Sequence, residues 1–120
     1  MRLWHVPIAG APSVVADEVE LASSWPARAR GLMFRRSFPE GHALVFRFDT
    51  ARRRALHMAF VPFPIDAAWL DGEVVTATKR LRAWVGLGRG LGDTIVECPA
   101  GALDGVEPGD RLRVGEPEGD

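Results

Sequence analysis

Apolar and polar residues alternate along most of this chain, and this alternation limits the possible folds more than any other feature. It is present at residues 18–21, 44–48, 55–60 and 111–114. A two-residue period puts successive side chains on opposite faces of a strand, so each stretch predicts a strand with one buried face. The 120 residues suffice for one domain. We therefore predict a mainly β (α+β) fold, a small barrel-like or strongly bent antiparallel sheet of about seven strands.

Three local signals add detail to this prediction. Asp71-Gly72 lies between two apolar runs and predicts a tight type I′ hairpin turn, in which both central residues need a positive φ. Ser24 can cap a helix, and the apolar residues after it fall on one helical face. We therefore predict one short helix over residues 25–35, packed on the sheet. The alternating glycines of residues 86–92 predict a mobile or tightly turned loop.

The sequence is expected to form a single compact domain over residues 1–114, with residues 115–120 as a frayed tail. No apolar run approaches the length of a membrane-spanning helix. The stretch before Val15 is interrupted by two prolines and a glycine. It therefore makes a poor signal peptide, and we expect a cytoplasmic chain. The single cysteine, Cys98, agrees with a reducing compartment.

The residue types that carry most enzyme chemistry are scattered. His5, His42 and His57 stand alone, without the spacing of a zinc site, so we predict no metal and no cofactor. Cys98 lies on a predicted strand beside Pro99, where a small buried cysteine is the usual outcome. No serine lies in a nucleophile-elbow motif. The sequence thus holds no complete catalytic set and favours a non-enzymatic role.

Charge is unevenly distributed along the chain. Residues 28–54 carry eight arginines and two acidic residues, whereas residues 93–120 carry eight acidic residues and two arginines. These two blocks could attract each other within one domain, or the basic block could bind an anionic partner. Arg28–Arg36 and Arg52–Arg54 would then be the patch for a polyanion. They lack the aromatic interleaving of single-strand binders, which argues against nucleic acid.

The most apolar stretch of the chain, residues 56–70, contains several candidate functional residues. Asp66 is its single acid. It could serve as an acid or base with a raised pKa, it could cap a turn after Pro64, or it could pair with an arginine such as Arg30. His57 is out of phase with its apolar neighbours, so it either lines a groove or faces solvent. Trp69 belongs to the same stretch.

Three blocks of this sequence resemble the signatures of a known family. Residues 28–35 read Arg-Ala-Arg-Gly-Leu-Met-Phe-Arg, and residues 56–66 read Leu-His-Met-Ala-Phe-Val-Pro-Phe-Pro-Ile-Asp. Residues 97–101 read Glu-Cys-Pro-Ala-Gly and are followed by Gly109-Asp110. In this order they resemble the bacterial and archaeal family called domain of unknown function 192. The second block has Leu-His where the family usually has Phe-Trp, and its Ala-Phe-Val replaces a polar triplet, which is more similar to archaeal members.

The resemblance implies a compact, mostly β, barrel-like domain with a short helix at the Gly-Leu-Met block. It implies no established activity and no cofactor, and many relatives carry an export signal. The polar positions that match the family are Arg30, Asp66, Glu97 and Asp110. They would form either a buried ion-pair network or the rim of a ligand site.

These observations lead to a binding module for a small ligand or a protein partner. Its candidate ligand-binding residues are Arg30, His57, Asp66, Trp69 and Glu97. Two alternatives stay open: an enzyme that uses Asp66 or Glu97 with His57, and a polyanion-binding protein that uses the arginine clusters. The sequence leaves the identity of the ligand or partner and the oligomeric state open.

Overall fold

Eight strands form one sheet in the computed structural model, which describes residues 1–22 and 35–115. In chain order the strands are β1 (Arg2–Val6), β2 (Ser13–Ala16), β3 (Glu18–Ala22), β4 (His42–His57), β5 (Ile65–Asp71), β6 (Val74–Leu81), β7 (Leu87–Pro99) and β8 (Arg111–Gly115). Their order across the sheet is β2-β1-β8-β6-β5-β7-β4-β3. Strands β3 and β4 run parallel, and all other neighbours are antiparallel.

The mainly β fold is confirmed, and its details differ from the prediction in three respects. There are eight strands rather than seven, because residues 2–6 and 13–16 are strands and residues 42–57 form one strand instead of two. The sheet is mixed, because β3 and β4 are parallel. It is also open, since β2 and β3 lie at opposite ends of the strand order. Periodicity reports the face that a residue takes, whereas it carries no information on strand direction or pairing.

The short helix predicted over residues 25–35 falls on residues that the structure leaves undescribed, except for Arg35, which is not helical. Within residues 1–22 and 35–115 there is no helix. Accordingly, this part of the chain contains no helix long and apolar enough to cross a membrane. Of the tail predicted at residues 115–120, Gly115 belongs to β8 and the rest lies outside the described residues.

The hairpin predicted at Asp71-Gly72 is present, with its turn shifted by one residue. Asp71 pairs with Val74, so Gly72 and Glu73 are the two loop residues. Of these residues only Gly72 takes a left-handed φ, of 64°. A glycine at this position permits the tight connection between β5 and β6 without steric strain.

The central strands bury both of their faces. One face, which we call the Cys98 face, packs Cys98, Val45 and Leu70 against residues of β1 and β8. The other, the Trp69 face, packs Trp69 against the side chains of Phe46 and other apolar residues. Neighbouring residues of a strand alternate between the two faces. Strand β5 is therefore buried from Ile65 to Leu70, which explains its continuous apolar sequence.

An arm formed by the outer halves of β4 and β7 covers the Trp69 face. The pairing of these strands is irregular between Arg47 and Arg52, and residues 52–57 then pair with residues 87–92. The predicted loop at residues 86–92 is therefore wrong, because most of it is strand. Its glycines permit close packing: a Cβ on Gly88 would lie 2.8 Å from Trp69 Cη2, and one on Gly90 would lie closer still to the same ring.

Candidate functional site

Asp66 is a buried carboxylate that joins three parts of the fold. It lies on β5, opposite Cys98 of β7. Nε and Nη2 of Arg80 on β6 donate to its two oxygens at 2.7 and 3.2 Å. The backbone N–H groups of Gly101 and Leu103 donate at 2.9 and 3.1 Å. These charge-assisted bonds offset the cost of burying the carboxylate. The arginine that pairs with Asp66 here is Arg80, whereas the suggested Arg30 lies outside the described residues.

A surface cleft of about 340 Å³ opens beside this ion pair. Its walls include Thr78 and Arg80 of β6 and the loop residues Asp104 and Val106. Arg80 Nη2 donates to Asp104 Oδ1 at 2.5 Å. Hydrogen bonds to Asp66 and then Asp104 raise the pKa of the Arg80 guanidinium above its usual range. Asp66, Arg80 and Asp104 are therefore already paired with one another, whereas Lys79, which also lines the cleft, donates to the Leu87 carbonyl at 2.7 Å.

Asp110 forms a second buried carboxylate cluster, near the start of β8. His5 Nε2 lies 2.7 Å from Asp110 Oδ2. The backbone N–H groups of Ile8 and Glu107 donate to the same carboxylate at 3.2 and 3.1 Å. The hydrogen bond with His5, followed by that from Glu107, lowers the pKa of Asp110. These bonds hold the N-terminal strand against the loop before β8.

Among the described residues, Glu97 is the buried carboxyl group that has the fewest partners. It lies on the Trp69 face, between Leu44 of β4 and Ala67 of β5, and is 6% exposed. Its Oε1 has no hydrogen-bond donor among the described residues. Burial raises the pKa of Glu97 to about 8, against a smaller opposing effect of the Arg35 charge. A group with that pKa is mostly protonated and neutral at pH 7.

Cys98 is a free, buried thiol. It is completely buried on the Cys98 face. Burial, and then the charges of Asp66 and Glu97, raise the pKa of Cys98 to about 12. The thiolate is the nucleophilic form of cysteine, and it is scarce at neutral pH when the pKa is this high. The side chain therefore acts as a small apolar core residue.

The predicted site residues do not converge on one cleft. Asp66 and Glu97 point to opposite faces of the sheet, because Glu97 pairs with Ala67 and Asp66 pairs with the next residue, Cys98. Trp69 is 0% exposed beneath the arm, and its Nε1 donates to the Arg54 carbonyl at 2.9 Å. His57 is exposed at the far end of β4. The shared contact that an acid–base pair requires is absent from this part of the structure.

His57 does lie next to an exposed apolar surface, which we call the tip patch. The tip patch consists of Phe60, Trp84, Val85 and Leu87, which are 53, 57, 67 and 66% exposed. It is formed by the loop after β4, the loop before β7 and the first residue of β7. The N–H of Trp84 donates to the Val61 carbonyl at 2.9 Å, and His57 pairs with Leu87. Clustered exposed apolar side chains of this kind mark interaction sites.

The backbone of the tip patch is strained at two positions. Phe60 has a φ of 61° and Trp84 has a φ of 66°. Bulky residues rarely take this left-handed conformation, which costs about 1–3 kcal/mol at each position. Such strain concentrates at functional sites, where the side chain is needed in spite of its backbone cost.

In the arginine triplet at residues 52–54, Arg54 makes hydrogen bonds within the fold, whereas the other two side chains are exposed. Arg54 Nε donates to the Gly92 carbonyl at 3.0 Å, and its Nη2 donates to the Thr50 carbonyl at 2.7 Å. Its guanidinium carbon also lies 3.8 Å from the centre of the Phe48 ring. Arg52 and Arg53 remain exposed. Of the other predicted cluster, Arg28–Arg36, only the last two residues are described.

The fold and its polar clusters define a small, mixed β-sheet domain whose described residues assemble no metal-binding group of three or more ligands. The chain belongs to the family domain of unknown function 192 (DUF192), described as "Uncharacterized ACR", whose model matches residues 6–114. This confirms the resemblance seen in the sequence.

Two solved structures share the fold. One is a proposed transcription regulator from Sinorhizobium meliloti 1021, which is 25% identical, with a TM-score of 0.79 over 93% of this chain and 91% of that chain. The other is a protein of unknown function from Novosphingobium aromaticivorans, which is 20% identical, with a TM-score of 0.79 over 95% of this chain and 84% of that chain. No curated protein is significantly similar to this chain.

Proposed function

We propose that this chain is a non-enzymatic binding module that attaches to a protein partner through the tip patch. The observation that carries the proposal is the exposure of four large apolar side chains, three on two loops that hydrogen-bond to each other and the fourth, Leu87, at the start of β7. An exposed apolar surface on a stable support is typical of a docking site. The predicted site residue His57 borders this surface. The carboxylates of Asp66 and Asp110, by contrast, already accept hydrogen bonds from other residues of the fold.

Site-specific photocrosslinking tests this proposal. A photoreactive phenylalanine analogue replaces Trp84, and in a matched control it replaces Val14, which is also exposed but lies on β2 at an end of the sheet. After irradiation of the source cells, position 84 is expected to give one discrete protein adduct that position 14 does not give. Identical adducts from both positions, or none from position 84, would contradict the proposal.

A small ligand in the cleft beside Asp66 is the second candidate. Its volume of about 340 Å³ is sufficient for a small molecule. An NMR titration of the labelled chain with sugars, nucleotides and divalent metals tests it. Shifts confined to Thr78, Arg80 and Asp104 would support this candidate over the tip patch. The cytoplasmic location of the module stays a prediction from its N-terminal sequence.

A further inference from the structure

We infer that the partner of the tip patch presents an acidic segment whose carboxylates alternate with apolar side chains. This inference rests on the proposed function and specifies the chemistry of its partner. It comes from a surface that continues the tip patch along the arm. That surface, the outer arm face, consists of Arg53, Ala55 and His57 of β4 and Leu87, Arg89 and Leu91 of β7.

The outer arm face is exposed because the glycines of β7 occupy the opposite face of the arm. Gly88 and Gly90 face Trp69, so the residues between and beside them point away from the core. All six residues of the outer arm face are exposed. Leu87 and Leu91 remain 66 and 49% exposed on a regular strand, where a polar residue would cost nothing in stability.

Basic and apolar side chains alternate on this surface. Leu87, Arg89 and Leu91 follow one another on the same face of β7, and Arg53 lies opposite Leu91 on β4. No ion pair occupies Arg53 or Arg89 within the described residues. A partner that covers both leucines must also cover Arg89. Burying that guanidinium is costly unless a carboxylate or another anion pairs with it.

The charge of the arm and of the segments next to it supports an anionic partner. Residues 50–65 and 74–92 contain no aspartate or glutamate, whereas they include Arg52, Arg82 and the arginines of the outer arm face. Exposed charges of a single sign attract an oppositely charged partner and raise its rate of association. This acid-free region includes the entire tip patch.

The aliphatic residues favour a protein over other polyanions. Nucleic acid would pair with the arginines and stack on Trp84, but it would leave Val85, Leu87 and Leu91 with little apolar surface to contact. An anionic membrane would accept Val85 and the leucines, but Arg89 lies between the two leucines and would be drawn below the headgroups. An acidic protein segment with interspersed apolar residues can pair with the arginines and also cover the aliphatic side chains.

The test uses the isotope-labelled full chain with two synthetic 12-residue peptides as probes, and with a single-stranded oligonucleotide and phosphatidylglycerol vesicles for comparison. One peptide alternates glutamate with leucine and phenylalanine, and the other has lysine in place of each glutamate. The acidic peptide is expected to shift the Trp84 indole and the Leu87–Leu91 amides, and the lysine peptide to leave them unchanged. The affinity of the acidic peptide should weaken roughly fivefold from low to physiological salt.

A charge reversal provides the decisive variant. Arg89→Glu should abolish the preference for the acidic peptide and bring binding of the lysine peptide. Arg111→Glu is the matched control, because Arg111 pairs with Val74 at the opposite end of β6 from the tip patch. It should leave the preference unchanged. A native amide spectrum shows in each case that the variant folds.

Four results would overturn the inference. Equal binding of both peptides would leave an apolar docking site without charge selection, and the proposed function would stand. Absence of binding by either peptide would refute the acidic segment, while the adduct at position 84 separately decides the proposed function. Binding only to a single-stranded oligonucleotide would assign the surface to nucleic acid. Binding only to phosphatidylglycerol vesicles would assign it to a membrane.

Discussion

Glu97 is expected to make the stability of the domain fall as the pH rises between about 4.5 and 8. Its ordinary pKa is 4.5, and burial raises the pKa to about 8 in the folded state. The folded chain therefore holds a proton that the unfolded chain releases across this interval. The stability associated with this proton is complete below the unfolded pKa, and it is lost as the pH rises through the folded pKa.

Glu97→Gln should consequently stabilise the domain at pH 7. The amide retains the shape and polarity of the protonated acid without its titration, and the expected gain is roughly 3 kcal/mol. Urea unfolding at pH 5, 7 and 8 measures it, and the gain should grow with pH. A loss of stability at pH 7, with the wild-type pH profile retained, would show that Glu97 is ionised and paired in the folded chain.

Asp66 contributes stability of a different kind, because it joins the loop after β7 to the sheet. Asp66→Asn would leave Arg80 and the N–H groups of Gly101 and Leu103 with a weaker acceptor. We expect a loss of about 2–4 kcal/mol in the free energy of unfolding. Asp104→Asn is the matched control, because Asp104 contacts the same arginine but its side chain is 73% exposed. It should cost less than about 0.5 kcal/mol.

Equal losses for these two variants would show that the ion pair, rather than the backbone donors, carries the contribution of Asp66. The sequence marked Asp66 correctly as an acid within an apolar stretch that needs a partner. It could not identify that partner, because Arg80 is brought to Asp66 by the pairing of β5 with β6. Burial demands a counter-charge, whereas strand pairing decides which arginine supplies it.

Sequence periodicity predicted some of the strands correctly and missed others. Strands β3 and β8 were predicted from alternation, because one face of each contacts the core. Strand β4 was read as two strands, because residues 49–54 are mostly polar where its pairing with β7 is irregular. The arm of β7 was read as a loop, since a strand of glycines has no side chains to alternate. The glycines of this arm are explained by their contact with Trp69, which is distant in the sequence.

The contact between the arm and Trp69 predicts the effect of a single methyl group. A Cβ on Gly90 would overlap the Trp69 ring, so Gly90→Ala must lift the arm or displace the indole. We expect a loss of about 1–3 kcal/mol in the free energy of unfolding. Faster hydrogen exchange of the Trp69 Nε1–H, which now donates to the Arg54 carbonyl, would report the same displacement.

Arg89→Ala is the control for this variant, because Arg89 precedes Gly90 on the exposed face of the same strand. It should change the free energy of unfolding by less than about 0.5 kcal/mol. A Gly90→Ala variant with unchanged stability and unchanged indole exchange would mean that the arm packs loosely. The glycines would then serve a purpose other than close approach.

In the domain as a whole, one arm of the sheet both covers a fully buried tryptophan and bears a cluster of exposed apolar side chains. Trp69 is enclosed between the central strands and the arm, and the outer end of that arm bears the tip patch. A well-packed support holds a docking surface in one conformation, so that less freedom is lost on binding. The sequence indicated a binding module at the apolar stretch of residues 56–70, but it could not separate buried Trp69 from the exposed Phe60 in the same stretch.

The strain at Trp84 leads to a final prediction, in which stability and binding change in opposite directions. Trp84→Gly removes a bulky residue from a left-handed φ of 66° and should raise the free energy of unfolding by about 1 kcal/mol. Trp84→Ala is the matched control, because alanine loses the indole but keeps the backbone strain. Its stability should stay close to that of the wild type. Both variants should bind the acidic peptide less tightly, as measured by the shifts of the Leu87–Leu91 amides.

Should the glycine variant be no more stable than the alanine variant, the left-handed backbone carries no strain. Should both variants bind as the wild type does, the indole has no part in docking, and the strain at Trp84 would serve some purpose other than binding.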